Sequence, residues 1–264
     1  MHVVERGAGT PIVLIHGFSP DHRILLPLDP VLERHGGWRR IYPDLPGMGL
    51  SPAGSDATGT DAVADAVARM IVERVGAEPF ALVGNSFGGM IARRLAHDFR
   101  SQMLGLCLVA PVIVADSAQR YVPKRVLLRE DPELLASLSA ADAEQYSLLS
   151  VVQSRENWEL FNQYVKPGVD LADQDALAAI RSSYALAVEP EEADPVPFER
   201  PTLFLTGKQD SAVGYADALK VLDHYPHAAF HLFDQAGHNV HLDQLELTEM
   251  VFEEWLDRMR AVGA

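Results

Sequence analysis

The chain has 264 residues, 48% of them hydrophobic, and a formal net charge of −15. It is long enough to bury one large core, and its acidity argues against nucleic acid as a partner, because phosphate contacts require clustered Lys and Arg. The lone cysteine excludes a disulfide within the chain, and no apolar run nears the ~20 residues that span a bilayer.

In chain order, Met1 to Gly7 lacks a basic stretch followed by an apolar core, so no signal peptide is expected. A soluble, cytoplasmic protein is the corresponding expectation. Residues 11–15, 39–42, 80–83, 103–109, 202–206 and 228–233 read as strands of a core sheet. Thr60 is expected to cap a helix that buries Val63, Val67, Met70, Ile71 and Val75 and stops at Gly76. Cys107 falls inside the apolar run Leu104 to Val109 and reads as an inert, buried thiol. Between Val109 and Phe198 the strand–helix alternation stops. Helical patterns alone fill this stretch, over Ala141 to Val152, Glu156 to Val165 and Gln174 to Ala187. Pro111 and a proline-rich segment from Glu189 to Phe198 bound it. The last helix, about Leu245 to Met259, shows an apolar stripe of Met250, Val251, Trp255 and Leu256.

The segment Gly84-Asn85-Ser86-Phe87-Gly88 follows the strand at 80–83 and precedes a helix-forming stretch. A Gly-x-Ser-x-Gly pattern in that context is a nucleophile elbow, whose sharp turn lifts the serine hydroxyl above the sheet. The competing reading is a Gly/Ser turn in which Ser86 merely caps a helix. An attacking serine needs a general base, and the base needs an orienting acid. Asp210 and His238 both lie in loops just past strand ends, on the sheet edge that the elbow would share. Metal motifs are missing from the sequence, and Gly47-Met48-Gly49 runs into Leu50-Ser51-Pro52 without the third glycine of a dinucleotide fingerprint. Neither a metal nor a cofactor is expected, so side chains alone must supply the chemistry.

These segments, with Pro11 to Phe18, Tyr42 to Ser51, Gly207 to Asp210 and Ala236 to His238, resemble the α/β-hydrolase superfamily in its cap-bearing serine hydrolase branch. The resemblance implies an α/β fold, a mostly parallel sheet flanked by helices with a helical cap insertion. The core would comprise residues 1–113 and 198–264, and the cap 114–197. It implies Ser86 as nucleophile, His238 as base and Asp210 as acid. The backbone N–H groups of Phe18 and Phe87 would form the oxyanion hole. Asp44 is not a triad member in that pattern and reads as a loop residue capping its turn. His16 reads as a loop organiser, whereas His22 and Arg23 read as surface residues within reach of a substrate carboxylate. Relatives carry an antiparallel strand before the first hydrophobic one, and with about ten residues available here it should be missing or reduced. Tyr146, Trp158, Phe161, Tyr164 and Tyr184 either line the pocket or pack the cap helices.

Serine at the elbow, in place of aspartate, argues against dehalogenase or epoxide hydrolase chemistry. The leading expectation is hydrolysis of a small acyl substrate: a carboxylic ester, thioester or lactone. The alternative is carbon–carbon cleavage of a vinylogous diketone, since the elbow is similar to the Gly-Asn-Ser-Met-Gly-Gly of meta-cleavage-product hydrolases. That family usually has Trp directly after the catalytic histidine, where this chain has Asn239. A slow-turnover ligand sensor that keeps the triad is a further alternative.

Overall fold

The apolar runs assemble into one seven-stranded sheet in a computed structural model, which describes residues 1–263, with side chains described through residue 260. The strands are β1 (Val3–Arg6), β2 (Thr10–Ile15), β3 (Trp38–Pro43), β4 (Phe80–Asn85), β5 (Met103–Val109), β6 (Thr202–Gly207) and β7 (Ala228–Phe233). Their spatial order is β1-β3-β2-β4-β5-β6-β7. β1 runs antiparallel to β3, and every other neighbouring pair is parallel. Ile12–Ile15, Phe80–Val83 and Leu203–Leu205 are wholly buried. Covering both faces of a parallel sheet is what makes its strands continuous apolar runs rather than alternating ones. The antiparallel first strand, expected to be missing or reduced, is present with four residues.

Between β2 and β4 the chain steps first to β3 and then across β2, so the strand order reverses beside β2. Open α/β sheets bind ligands at such a switch point, beyond the C-terminal strand ends. Helices α1 (Asp29–His35), α2 (Thr60–Arg74) and α3 (Phe87–Asp98) belong to the first half of the sheet. Between β5 and β6 come α4 (Pro132–Ser137), α5 (Ala140–Ser147), α6 (Arg155–Tyr164), α7 (Lys166–Leu171), α8 (Gln174–Ser182) and α9 (Pro190–Ala193). The chain closes with α10 (Ala216–Lys220), α11 (Val240–Asp243) and α12 (Leu245–Gly263). α2 packs on α3 and α1 on α12, giving two helix pairs that flank the sheet. Among the described residues, no helix is long and apolar enough to cross a membrane. Cys107 is fully buried in β5, and burial pushes its thiol pKa far up. That keeps it protonated and a poor nucleophile.

Four expectations need correcting. Thr60 does not cap α2: it is the first helical residue, and its hydroxyl donates to the Tyr184 carbonyl at 2.6 Å. The same contact, with Thr60 N–H donating to Ser183 O, ends α8 at Ser182 rather than near Ala187. Met250 is 68% exposed, and the buried stripe of α12 is Phe252, Trp255, Leu256 and Met259. Hydrophobicity alone could not tell which of several apolar positions faced the sheet. Finally, the helix expected over Ala141 to Val152 ends at Ser147, and Val152 forms an isolated bridge with Arg129.

One buried ionic cluster ties α3 to α9. Arg93 is 1% exposed and its guanidinium meets Glu189 at 3.1 Å and Glu191, whose other oxygen accepts from the Tyr225 hydroxyl at 2.6 Å. Burial alone would raise the Glu191 pKa, but Arg93 and Tyr225 hold it down at about 2. A depressed carboxylate pKa stabilises the fold at neutral pH, and that contribution is lost as pH falls through the folded value. Arg93→Met should cost about 3–5 kcal/mol at pH 7, because it strands a buried carboxylate. Urea unfolding would measure it. A double variant, Arg93→Met with Glu191→Gln, should recover much of the loss, and no recovery would place the cost in packing instead of charge.

Candidate active site

Glycine builds the turn between β4 and α3. A Cβ on Gly88 would lie 2.3 Å from Ile15 O, and one on Gly84 would lie 2.4 Å from Gly88 O. Only residues without a side chain let helix and strands approach so closely. Ser86 sits between them at φ 53°, ψ −113°, a conformation L-residues rarely adopt. Its backbone is clamped: N–H donates to Val109 O at 2.9 Å, and its carbonyl accepts from Gly89 and Val112. The other non-glycine residues with positive φ, among those described, are Ser19, Ala110 and Gln235. They follow β2, β5 and β7, so all four gather on the C-terminal edge of the sheet. Strain of this kind concentrates where surrounding structure over-determines a loop.

The hydroxyl of Ser86 lies 2.9 Å from His238 Nε2, and His238 Nδ1 lies 2.9 Å from Asp210 Oδ2. Asp210 follows β6, is wholly buried, and accepts with Oδ1 from the N–H groups of Ala212 and Val213 at 2.8 and 3.0 Å. His238 follows β7. The two loops touch, since a Cβ on Gly207 would fall 2.2 Å from Gly237 O. Burial opposes charge on both partners, yet the mutual attraction prevails. The Asp210 pKa is lowered, with the His238 charge and the two amides outweighing burial, and that of His238 is raised by Asp210 against its own burial. A hydroxyl bonded to an imidazole that is fixed by a buried carboxylate can be deprotonated as it attacks. Asp234, the other carboxylate near His238 in sequence, instead accepts from Gln209 Nε2 at 2.7 Å on the exposed side of the loop.

The N–H groups of Phe87, at the start of α3, and of Phe18 make no hydrogen bond to protein among the described residues. Phe18 adjoins Gly17, whose added Cβ would lie 3.3 Å from the Ser86 Cβ. The loop after β2 therefore passes beside Ser86. His16 is wholly buried, bonds the Gly17 carbonyl through Nδ1 at 2.7 Å and accepts from Leu45 N–H through Nε2. Its pKa is lowered chiefly by burial, so it stays neutral and holds the loop.

His22 and Arg23 are not free surface residues. His22 donates through Nδ1 and its backbone N–H to Asp44 Oδ1, and Arg23 pairs with Asp21. Asp44 also accepts from His2 Nδ1 and Leu50 N–H. His2, His22 and Asp44 form the one His/Asp cluster among the described residues with atoms close enough to hold a metal ion. Four N–H donors on the two Asp44 oxygens account for that cluster as a hydrogen-bonded hub, in keeping with a loop-organising Asp44.

A cavity of about 410 Å³ opens above Ser86. The sheet side contributes Gly17, Phe18, Asn85, Ser86, His238 and Asn239, and the segment between β5 and β6 contributes Gln145, Leu148, Leu149, Phe161, Val165 and Val169. Of the five aromatic candidates only Phe161 lines it. Tyr146 and Trp158 pack with Phe161 at ring distances of 5.4 to 5.9 Å, and Tyr164 lies off the wall. Tyr184 stacks on Phe87 at 5.2 Å and walls a second recess of about 490 Å³ with Phe18, Arg120 and Arg181. Sequence reading missed the aliphatic lining and also Asp243, which accepts from Gly237 N–H at 2.8 Å, next to His238.

A family model described as the alpha/beta hydrolase fold matches residues 10–245. The chain is 26% identical over 253 residues to a 2-hydroxy-6-oxo-2,4-heptadienoate hydrolase of Pseudomonas putida, covering 90% of this chain and 86% of the relative. It is 23% identical over 258 residues to a pimeloyl-[acyl-carrier protein] methyl ester esterase of Legionella pneumophila, covering 97% and 99%. Its structure resembles an alpha/beta superfamily hydrolase from Oenococcus oeni, with TM-score 0.89, 28% identity, and coverage of 98% and 96%.

Proposed function

Because this chain belongs to the α/β-hydrolase family, we propose that it is a serine hydrolase acting on a small carboxylic ester, thioester or lactone. The observation that carries the reading is the chain of two 2.9 Å hydrogen bonds from Ser86 through His238 to Asp210, opening into a cavity with mostly apolar walls. Ser86 attacks the acyl carbon as His238 takes its proton, and Asp210 stabilises the imidazolium that forms. The N–H groups of Phe18 and Phe87 receive the oxyanion, the latter aided by the positive end of α3. The protonated His238 then gives its proton to the leaving group, and the same steps with water release the acid. Residues 114–197 act as a cap that closes the cavity and sets the size of the acyl group accepted.

Carbon–carbon cleavage is the second reading, and the recess walled by Arg120 and Arg181 favours it. Neither guanidinium has a carboxylate partner among the described residues: Arg120 bonds the carbonyls of Val114, Ala115 and Ala212, and Arg181 lies 5.2 Å over the Phe18 ring. A substrate carboxylate is the group that such guanidiniums would recognise, in a recess that Asp116 also lines, and a relative named for a heptadienoate supports that chemistry. Absorbance decides between the two. Cleavage of a dienol requires its ketonisation first, so a coloured meta-cleavage dienol should change spectrum before product forms. Turnover of short p-nitrophenyl esters with no dienol change is the expected result. A rapid spectral shift retained in Ser86→Ala, with cleavage by the wild type, would reverse the order of the readings.

A further inference from the structure

A second carboxyl group, besides Asp210, reaches the His238 loop. Asp243 closes the single turn α11, five residues after His238, and its Oδ2 accepts from Gly237 N–H at 2.8 Å. Gly237 is tightly held, since a Cβ there would meet Val151 Cγ1 at 3.0 Å and Leu149 O at 3.1 Å. The peptide that carries His238 is thus pinned between the helical insertion and Asp243. No cation pairs with Asp243 within salt-bridge distance among the described residues. The charged and titratable groups that face it are Asp210 on the β6 loop, His238 on its own loop and Tyr146 on α5, while Arg120 acts on His238 and opposes its protonation.

Resting on the serine hydrolase reading, we infer that Asp243 is a positioning residue for His238: it anchors the preceding peptide, and its negative charge favours the protonated imidazole. The hydrogen bond fixes where the imidazole stands relative to Ser86. The charge acts at longer range, in the same direction as Asp210 and against Arg120. Burial, with the nearby Asp210 charge, raises the Asp243 pKa to about 7 against the pull of the Gly237 N–H. The group therefore gains or loses its charge in the pH range where a histidine base works. Below that range it still accepts the Gly237 bond but no longer favours the imidazolium.

Two variants separate the anchor from the charge. Asp243→Asn keeps an oxygen for Gly237 N–H and removes the charge, whereas Asp243→Ala removes both. The His238 imidazole is followed by NMR titration, with its resonance assigned by its loss in His238→Gln. In Asp243→Asn its midpoint should fall by about half to one pH unit, as loss of a nearby anion requires. The pH profile of fluorophosphonate labelling should move the same way, with a plateau rate within a few-fold of wild type. Asp243→Ala should lose roughly tenfold or more of that plateau, since a misplaced base is a misoriented one. An unchanged His238 midpoint in Asp243→Asn, or an unchanged plateau in Asp243→Ala, overturns the inference. Failure of the underlying reading looks different: labelling would be absent, or would persist in Ser86→Ala, while the imidazole titration still reported on Asp243.

Discussion

Ser86→Ala is expected to abolish labelling by a fluorophosphonate and to lower turnover of any acyl substrate by roughly five to six orders of magnitude, the range seen when a nucleophile that works as part of a unit is removed. The serine contributes one hydroxyl to the site, at 2.9 Å from His238 Nε2, while its backbone makes the bonds that hold the turn. Alanine keeps every one of those backbone bonds. It also relieves none of the φ 53° strain, because that strain is set by a Cβ that both residues carry. The variant should accordingly fold with wild-type cooperativity, and a mass shift of one phosphonyl group in wild type alone would identify the residue. Near wild-type ester hydrolysis by the alanine variant would refute the elbow reading. Measuring the labelled mass after proteolysis guards against a second reactive serine.

The sheet was legible because its strands are buried on both faces, which leaves a signature of short, unbroken apolar runs at residues 11–15, 80–83 and 202–206. The elbow was legible for a related reason: a Cβ at either glycine would fall 2.3 to 2.4 Å from a backbone carbonyl oxygen, a constraint that the sequence must write down. The ends of helices were less so. Nothing near Thr60 in sequence announces that its hydroxyl bonds Tyr184, 124 positions away, or that this contact stops α8. The cavity wall was only partly legible: among the aromatic residues weighed at helical spacing Phe161 lines it, and Leu148, Leu149, Val165 and Val169 carry the rest. Tyr146 and Trp158 instead pack among themselves, where large rings add most to a small helical layer. Asp243 was invisible for another reason. Its meaning depends on a single peptide N–H, and backbone donors leave no trace in the identity of Gly237.

Asp210→Asn is expected to reduce turnover by about 10⁴-fold, while Asp234→Asn leaves it within a factor of about two or three. Asp234 lies on the same loop as His238 and Asp210 lies 28 residues before it, so the contrast tests geometry and not proximity along the chain. Asparagine at 210 can still accept from the Ala212 and Val213 N–H groups through its carbonyl oxygen, which directs its NH₂ group toward His238 Nδ1. That nitrogen must then accept, so the proton moves to Nε2. The imidazole would donate to the Ser86 hydroxyl where it ought to accept from it, and the base would be lost without any change in packing. The positive charge that forms on His238 would also lose its buried counter-charge. Asp234 has neither role: it is exposed and bonds Gln209 and Lys208. Steady-state kinetics on one ester, with circular dichroism to confirm that both variants fold, gives the comparison. Activity that survives in Asp210→Asn and collapses in Asp234→Asn would transfer the acid's role to the outer loop and break the hydrogen-bond chain on which the proposed mechanism depends.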